Sequence, residues 1–93
     1  MKITVEQQPR DFIRRQPPAA RKRLRERLHQ VEAGTVFPEP LEDELDGFYK
    51  LKIEGYRMIL QHAAGLHGPF FRVVFAEKRS AVYELFKQTI GLE

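Results

Sequence analysis

Three cations crowd one ten-residue stretch of the sequence, FYKLKIEGYR, which spans residues 48–57. Lys50, Lys52 and Arg57 stand there at positions where β-strands usually carry apolar or neutral side chains. The stretch has the pattern of two short strands joined by a two-residue turn at Glu54-Gly55. Arginine binds phosphate oxygens through two parallel hydrogen bonds, and lysine meets them as a point charge. The chemistry that these residues suggest is therefore the binding of a phosphate group.

The two-residue turn predicts which residues of the hairpin lie opposite each other. Lys52 then faces Arg57, and Lys50 faces Ile59. Opposed like charges destabilise a sheet by up to about 1 kcal/mol, so the pair indicates a function unless both side chains splay into water. Because side chains alternate between faces, we expect the cations on an uncovered face and six apolar residues on a helix-covered one: Tyr49, Leu51, Ile53, Tyr56, Met58 and Leu60.

Composition restricts the class of protein that can carry this hairpin. The chain has 93 residues, which predicts one domain over residues 1–93, and 42% hydrophobic residues, which is ordinary for a folded protein. It contains no Cys, which excludes disulfides, thiolate metal sites and a cysteine nucleophile. The three His residues lack metal-ligand spacing, so we expect neither a metal nor a cofactor. No apolar run has the length of a signal peptide or membrane span, and we expect a soluble cytoplasmic protein without a membrane partner.

Charge is divided into blocks along the chain. Residues 10–27 carry a net +6, residues 32–46 a net −6 and residues 47–93 a net +3. This division predicts a polyanionic partner that the acidic segment does not touch, although a solvated basic helix face has the same composition. The basic segment has no interleaved aromatic residues, which favours contact with an RNA backbone over base stacking, or docking of a partner protein. Its candidate RNA-binding residues are Arg21, Lys22 and Arg25.

Hydrophobic periodicity predicts the elements that position these residues. In residues 19–33 the apolar side chains recur at helical spacing, and Gly34 follows as a helix terminator: Ala20, Leu24, Leu28 and Val31. Strands are predicted at 2–5, 48–54, 56–63 and 70–77, a short helix from residue 9, a loop at 35–46 and a last helix at 80–89. The order β-α-α-β-β-β-α predicts an α+β fold, an antiparallel sheet with an αα-hairpin packed on one face.

The last predicted strand carries one further cation, Arg72. Strict alternation puts Phe71, Val73 and Phe75 on one face. Arg72 would then lie with Val74 and Ala76 on the other face, where it is a candidate for secondary contact with the bound polyanion.

Three short motifs, YKLK, GYR and KRSAVY, follow one another across the hairpin and the end of the chain. In this order and spacing the chain resembles the RelE/ParE superfamily of type II toxins, and most of all its RelE branch. That branch cleaves messenger RNA in the ribosomal A site with lysines, arginines and a tyrosine, without a metal. The resemblance implies a RelE-like fold, a ribosome-dependent endoribonuclease, and two partners: a cognate antitoxin, and the ribosome with its messenger RNA.

The resemblance also implies the catalytic residues, by position in the motifs: Lys50, Lys52, Arg57, Arg79 and Tyr83. Lys78 is a further candidate for RNA contact. ParE-like gyrase inhibitors share the GYR and the arginine-to-tyrosine pattern, so only the lysine pair favours ribonuclease over gyrase inhibition. A toxin-fold protein that has lost activity and acts only as a binding partner is the third possibility.

Attack of a ribose 2′-hydroxyl on phosphorus needs a base, charge for the phosphate and an acid for the leaving oxygen. Lys52 is the candidate base because neighbouring cations favour a neutral amine, and Lys50 would anchor the phosphate. Arg57 and Arg79 would hold the phosphate, and Tyr83 would stack on a base or lend its hydroxyl. The acid stays open between Arg79 and Tyr83. Tyr83 packed in the core and Arg57 capping the hairpin are the plain structural alternatives.

Overall fold

A computed structural model describes residues 1–92 of the chain. It contains five strands and three α-helices: β1 (Lys2–Val5), α1 (Gln7–Arg14), α2 (Pro18–Glu32), β2 (Glu39–Pro40), β3 (Phe48–Ile53), β4 (Tyr56–Gly65), β5 (Gly68–Lys78) and α3 (Val82–Thr89). The α+β fold with an αα-hairpin, predicted from the sequence, is confirmed. Most boundaries differ from prediction by one or two residues, as expected because helix and strand ends are the least sequence-determined positions.

The sheet has the strand order β1-β5-β4-β3-β2. Strands β2 to β5 pair antiparallel as predicted, whereas β1 pairs parallel to β5 at the far edge. The prediction of a wholly antiparallel sheet therefore misses one strand. The segment predicted as a loop also contributes two residues, Glu39 and Pro40, which pair with β3. Proline is tolerated in this strand because it lies at an edge of the sheet.

One side of the sheet is covered by α1 and α2, which together with the sheet enclose the helix-side core. The four apolar residues of the α2 stripe are all buried, and Leu24 has no exposed surface. They meet side chains from the predicted apolar face of the hairpin, among them Leu51, Met58 and Leu60. Tyr56 closes one end of this core, its ring edge-on to Phe12 at 5.8 Å. Its hydroxyl bonds the side chain of Gln16 at 3.1 Å, which satisfies the polar end of the ring.

The other side of the sheet carries α3 and a smaller cluster, the α3-side core. It consists of five buried residues, Leu45, Ile59, Phe75, Val82 and Phe86. This side was expected to be uncovered, but α3 lies over part of it because Val82 and Phe86 bury against Ile59 and Phe75. The hairpin cations, defined as Lys50, Lys52 and Arg57, therefore border a small apolar core instead of standing on an open sheet.

An irregularity in β5 explains where Phe75 lies. Ile59 pairs with Phe75, but the next residue, Leu60, pairs with Val73, so Val74 is an extra residue and β5 bulges there. A bulge reverses the alternation beyond it. Phe75 consequently belongs to the α3-side core and Ala76 to the helix-side core. The assignment of Phe75 and Ala76 to faces by strict alternation was wrong for this reason.

Candidate functional site

The hairpin that carries the cations has the register that its turn predicts. Lys52 pairs with Arg57, and Lys50 pairs with Ile59. Gly55 closes the turn at a φ of +77°, a conformation that costs glycine little because it has no Cβ. The sequence thus places all three hairpin cations on the α3 side of the sheet.

The row of paired residues at the end of the hairpin extends across a third strand. Arg57 of β4 pairs on its other side with Glu77 of β5, so a lysine, an arginine and a glutamate lie side by side on one face. Neighbouring strands are about 4.8 Å apart, so adjacent members of the row are close enough to act on one group. Glu77 was not identified as a site residue from the sequence, because its relation to Lys52 depends on the pairing of three strands.

Lys52 has an acidic neighbour as well as cationic ones. Its Nζ lies 3.5 Å from Glu39 Oε1, and 49% of its side chain is exposed. Glu39 also pairs in register with Lys50. From α2, Arg27 Nε donates to the carbonyl oxygen of Lys52 at 2.9 Å, which fixes this part of β3 to the helix. The reason given for Lys52 as a base, an entirely cationic neighbourhood, is therefore not met in this arrangement.

Arg57 is half-buried, and its side chain is hydrogen-bonded to the backbone at the end of the hairpin. Its Nη1 donates to the carbonyl oxygens of Tyr56 at 2.7 Å and Ile53 at 3.2 Å. Its Nε and Nη2 make no hydrogen bond to any group within residues 1–92. One edge of the guanidinium is thus used by the fold, and the rest is free to bind a phosphate.

Two further predicted residues approach the hairpin from the end of β5 and from α3. The backbone N–H of Arg79 donates to the carbonyl oxygen of Gly55 at 3.1 Å, which holds this exposed arginine beside the turn. Tyr83 packs its half-buried ring against the α3-side core. It also lines, together with Lys50, an open groove of about 420 Å³. The sequence left two alternatives for Tyr83, packing in the core or facing the site. In the structure its side chain does both, since it packs on the α3-side core and lines the groove.

The opposite wall of this groove is acidic. It is formed by Glu42, Asp43 and Glu44, which lie in or before a short 3₁₀ turn, and Lys87 of α3 approaches Glu44 at 3.9 Å. The acidic segment was expected to stay away from the polyanion site, whereas it lies directly beside Lys50 and Tyr83. The approach of Tyr83 and Lys87 to this segment joins residues about forty positions apart and has no signature in the sequence.

Arg72 and Lys78 do not join the hairpin cations. Arg72 lies on the same face but forms an ion pair with Glu6, with Nη2 at 2.6 Å and Nε at 2.8 Å from Oε2. It borders a separate groove with Phe48 and Gln61. Lys78 is exposed and pairs with Tyr56, one position beyond the row that contains Arg57. Arg72 is therefore occupied by the fold, and Lys78 lies at the margin of the site.

The predicted RNA-binding residues of α2 lie on the other side of the sheet. Lys22 and Arg25 are exposed there, and Arg21 Nη1 reaches the carbonyl oxygen of Arg14 at 3.4 Å. We define the helix surface as five cations of α1 and α2, of which Arg21 is half-buried and the other four are exposed: Arg10, Arg14, Arg21, Lys22 and Arg25. A groove of about 290 Å³ opens in it, with an apolar floor of Val5, Ile13 and Leu28 and a rim of Arg10, Arg14 and Arg25. The structure does not bring the helix surface together with the hairpin cations.

Among the described residues, no group of three or more His, Asp or Glu side chains is placed to hold a metal ion. No helix of this part of the chain is long and apolar enough to cross a membrane.

The fold is that of a known class of toxins. A solved structure described as a YoeB/ParE toxin from Agrobacterium tumefaciens superimposes with a TM-score of 0.63 at 14% sequence identity, covering 85% of this chain and 99% of that one. The chain therefore has the RelE/ParE toxin-like fold that its motifs predict. No protein-family model matches the sequence, and the curated proteins contain no match to it.

Proposed function

We propose that this protein is the toxin of a type II toxin–antitoxin system and cleaves messenger RNA in the ribosomal A site, without a metal or cofactor. The observation that carries the proposal is the row of Lys52 opposite Arg57 on the α3 side of the sheet, with Lys50, Arg79 and Tyr83 around it. The toxin-like fold supports the same class of function.

In this proposal the scissile phosphate lies over the Lys52–Arg57 pair. Arg57 offers Nε and Nη2, which are free of the hydrogen bonds that its Nη1 makes to the hairpin. Arg79 approaches from the turn and adds a second guanidinium, so that positive charge surrounds the phosphate as it becomes crowded in the transition state. Preorganised charge of this kind is often the largest contribution to catalysis, about 2.7–4 kcal/mol for one donor.

Lys50 and Tyr83 would bind the nucleotide next to the cleaved bond. Both line the 420 Å³ groove, where an unstacked base can lie on the ring of Tyr83. The proton for the leaving 5′-oxygen would come from Arg79, which is exposed beside the turn, or from Tyr83, which lines the groove.

The helix surface would serve binding rather than chemistry. The residues proposed to contact the backbone of ribosomal RNA are Arg21, Lys22 and Arg25. Binding through phosphate contacts weakens as the salt concentration rises. The groove with an apolar floor and an arginine rim fits an antitoxin segment that combines apolar and acidic residues. The place of action of such a toxin is the cytoplasm.

A ParE-like gyrase inhibitor is the second candidate. It is favoured by one observation: Glu39 pairs with Lys52, so the lysine pair that distinguishes a ribonuclease is partly neutralised. In that case the same cations would bind a protein or DNA surface without cleaving RNA.

Induction of the wild-type gene in bacterial cells distinguishes the two. The ribonuclease proposal expects arrest of translation and new messenger 5′ ends in phase with the reading frame. As a control, Arg15→Ala removes an exposed arginine outside both proposed surfaces and should produce the same ends. Signals of DNA damage with intact messenger RNA would contradict the proposal and support gyrase inhibition.

A further inference from the structure

A second row of functional side chains crosses the α3 side of the sheet, at the end away from the hairpin turn. Phe48 of β3 pairs in register with Gln61 of β4, and Gln61 pairs with Arg72 of β5. Neighbouring strands are about 4.8 Å apart, so an aromatic ring, an amide and a guanidinium lie side by side. All three side chains are half-buried and line one open groove of about 260 Å³, which we call the Gln61 groove.

The rest of the Gln61 groove is largely apolar. Val74, Phe86 and the exposed Ile90 line it. The ring of Phe48 lies edge-on to that of Phe86, with the ring centroids 5.0 Å apart. Because Phe86 is buried in the α3-side core, this contact holds the Phe48 ring in place before a ligand arrives. The groove therefore offers a flat ligand an apolar lining with one aromatic ring in a fixed position.

Two polar side chains of the groove have free hydrogen-bonding capacity. The amide of Gln61 makes no hydrogen bond to any group within residues 1–92. Arg72 donates to Glu6 Oε2 through Nε at 2.8 Å and Nη2 at 2.6 Å, which leaves Nη1 without a partner in the same part of the chain. The charges of Glu6 and Arg72 balance each other, so the groove carries free donors and an acceptor but no net charge.

This combination selects among the possible ligands. A phosphate or an acidic peptide gains little from a groove whose single guanidinium is already paired with a carboxylate. An apolar side chain would take water away from the Gln61 amide and leave it unsatisfied, which is costly. A nucleobase is flat, stacks on aromatic rings and presents a donor beside an acceptor on one edge, which a glutamine amide binds through two hydrogen bonds.

We propose that the Gln61 groove binds one unstacked nucleobase of the messenger RNA, an assignment that rests on the proposed ribonuclease function. Phe48 stacks on the base, the Gln61 amide bonds its edge, and Arg72 Nη1 donates to the base or its ribose. Gln61 lies four residues along β4 from Arg57, about 13 Å at about 3.3 Å per residue. Since α3 covers the sheet between these rows, the bound base belongs to a nucleotide a few positions from the cleaved bond.

Binding is tested on the isolated protein by nuclear magnetic resonance. We expect at least one of adenosine, cytidine, guanosine and uridine to shift the side-chain amide signal of Gln61, equally at low and high salt, and ribose 5-phosphate to leave it unchanged. Gln61→Leu keeps the size of the side chain and should weaken this binding. The control His62→Leu changes the next residue, which lies on the opposite face against Phe71, and should bind as wild type does.

Three results of this titration overturn the proposal. The first is that no nucleoside shifts the Gln61 signal, and the second is that ribose 5-phosphate shifts it as strongly as the nucleosides do. The third is a shift with N-acetyl-leucinamide but none with nucleosides, which would assign the groove to a protein partner.

Cleavage of ribosome-bound messenger shows whether the base comes from the substrate. The wild type is given messengers that each lack one base, at successive positions near the cut. One missing base should lower kcat/KM by about 5–150-fold, the worth of one base stacked on an aromatic ring. Phe48→Leu keeps an apolar contact with Phe86 but loses the ring, so the same missing base should cost it far less, whereas His62→Leu should show the full loss. Thermal unfolding checks that each variant is folded.

The two proposals fail in different ways. If the wild type cuts messenger but no missing base has an effect that Phe48→Leu relieves, the groove does not bind the messenger while the ribonuclease function stands. If the wild type cuts no messenger at all, the ribonuclease function falls and the messenger is no longer the source of the base.

Discussion

Both sides of the sheet carry cations, but the two sides differ in how many acidic neighbours these cations have. On the helix side, α1 and α2 cover a large apolar core and present arginines and a lysine to solvent, where the only acid paired with the helix surface is Asp11, at 3.1 Å from Arg14, within the described residues. On the α3 side the cations alternate with carboxylates: Lys52 with Glu39, Arg57 with Glu77, Arg72 with Glu6 and Lys87 with Glu44.

This difference separates two uses of a basic surface. Cations without acidic neighbours attract any polyanion, and the energy of their binding depends on salt more than on geometry. Cations interleaved with acids attract polyanions less but place proton acceptors and phosphate ligands in fixed positions side by side. Under the proposed function, this difference corresponds to binding at the helix surface and to chemistry at the hairpin cations. Arg27 connects the two, since it extends from α2 to the backbone of Lys52.

The largest expected effect comes from the core beneath the helix surface. Leu24 is fully buried between α2 and the sheet, and Leu24→Ala should lower the free energy of unfolding by about 2–5 kcal/mol because it leaves a cavity. Urea denaturation measures the change. The matched control Leu85→Ala removes an exposed leucine of α3 and should cost far less. Since the core lies on the side away from the site, cleavage per folded molecule should stay unchanged, and a parallel loss of activity would break the division between the two sides.

A smaller effect is expected from the helix surface itself. The double variant Arg21→Ala/Arg25→Ala removes two proposed phosphate contacts, so the slope of log affinity for ribosomes against log salt concentration should become shallower by about 2. Filter binding or sedimentation over a salt series measures it. A control double variant, Lys2→Ala/Arg15→Ala, removes the same charge at exposed positions outside the helix surface. If both variants change the slope equally, the helix surface has no special role in binding.

The parts of the fold that follow local rules were predictable from the sequence. The register of the hairpin follows from the two-residue turn at Glu54-Gly55, because a strand has a strict period of two and one slip would bury Lys52 and expose Leu51. The buried stripe of α2 follows in the same way from helical spacing. Both depend on neighbours within a few residues.

The parts that were missed depend on distant neighbours. The bulge at Val74 moves Phe75 to the α3-side core, and the alternation of apolar and polar residues in β5 does not predict it. The ion pair of Arg72 joins residues 66 positions apart. The position of Glu77 beside Arg57 likewise requires that β4 and β5 pair in one register. The sequence therefore indicated that the hairpin cations share one face of the sheet, but not which carboxylates lie between them.

The most direct test of the division between binding and chemistry is single-turnover cleavage of ribosome-bound messenger by wild type and Arg57→Ala at saturating protein. Arg57 is the member of the row that pairs in register with both Lys52 and Glu77. We predict that Arg57→Ala cuts about 10²–10³-fold more slowly than wild type, as for loss of one charge-stabilising donor, while its affinity for ribosomes is unchanged. An Arg57→Ala variant that is folded and cuts as fast as wild type would contradict the assignment of chemistry to the hairpin cations.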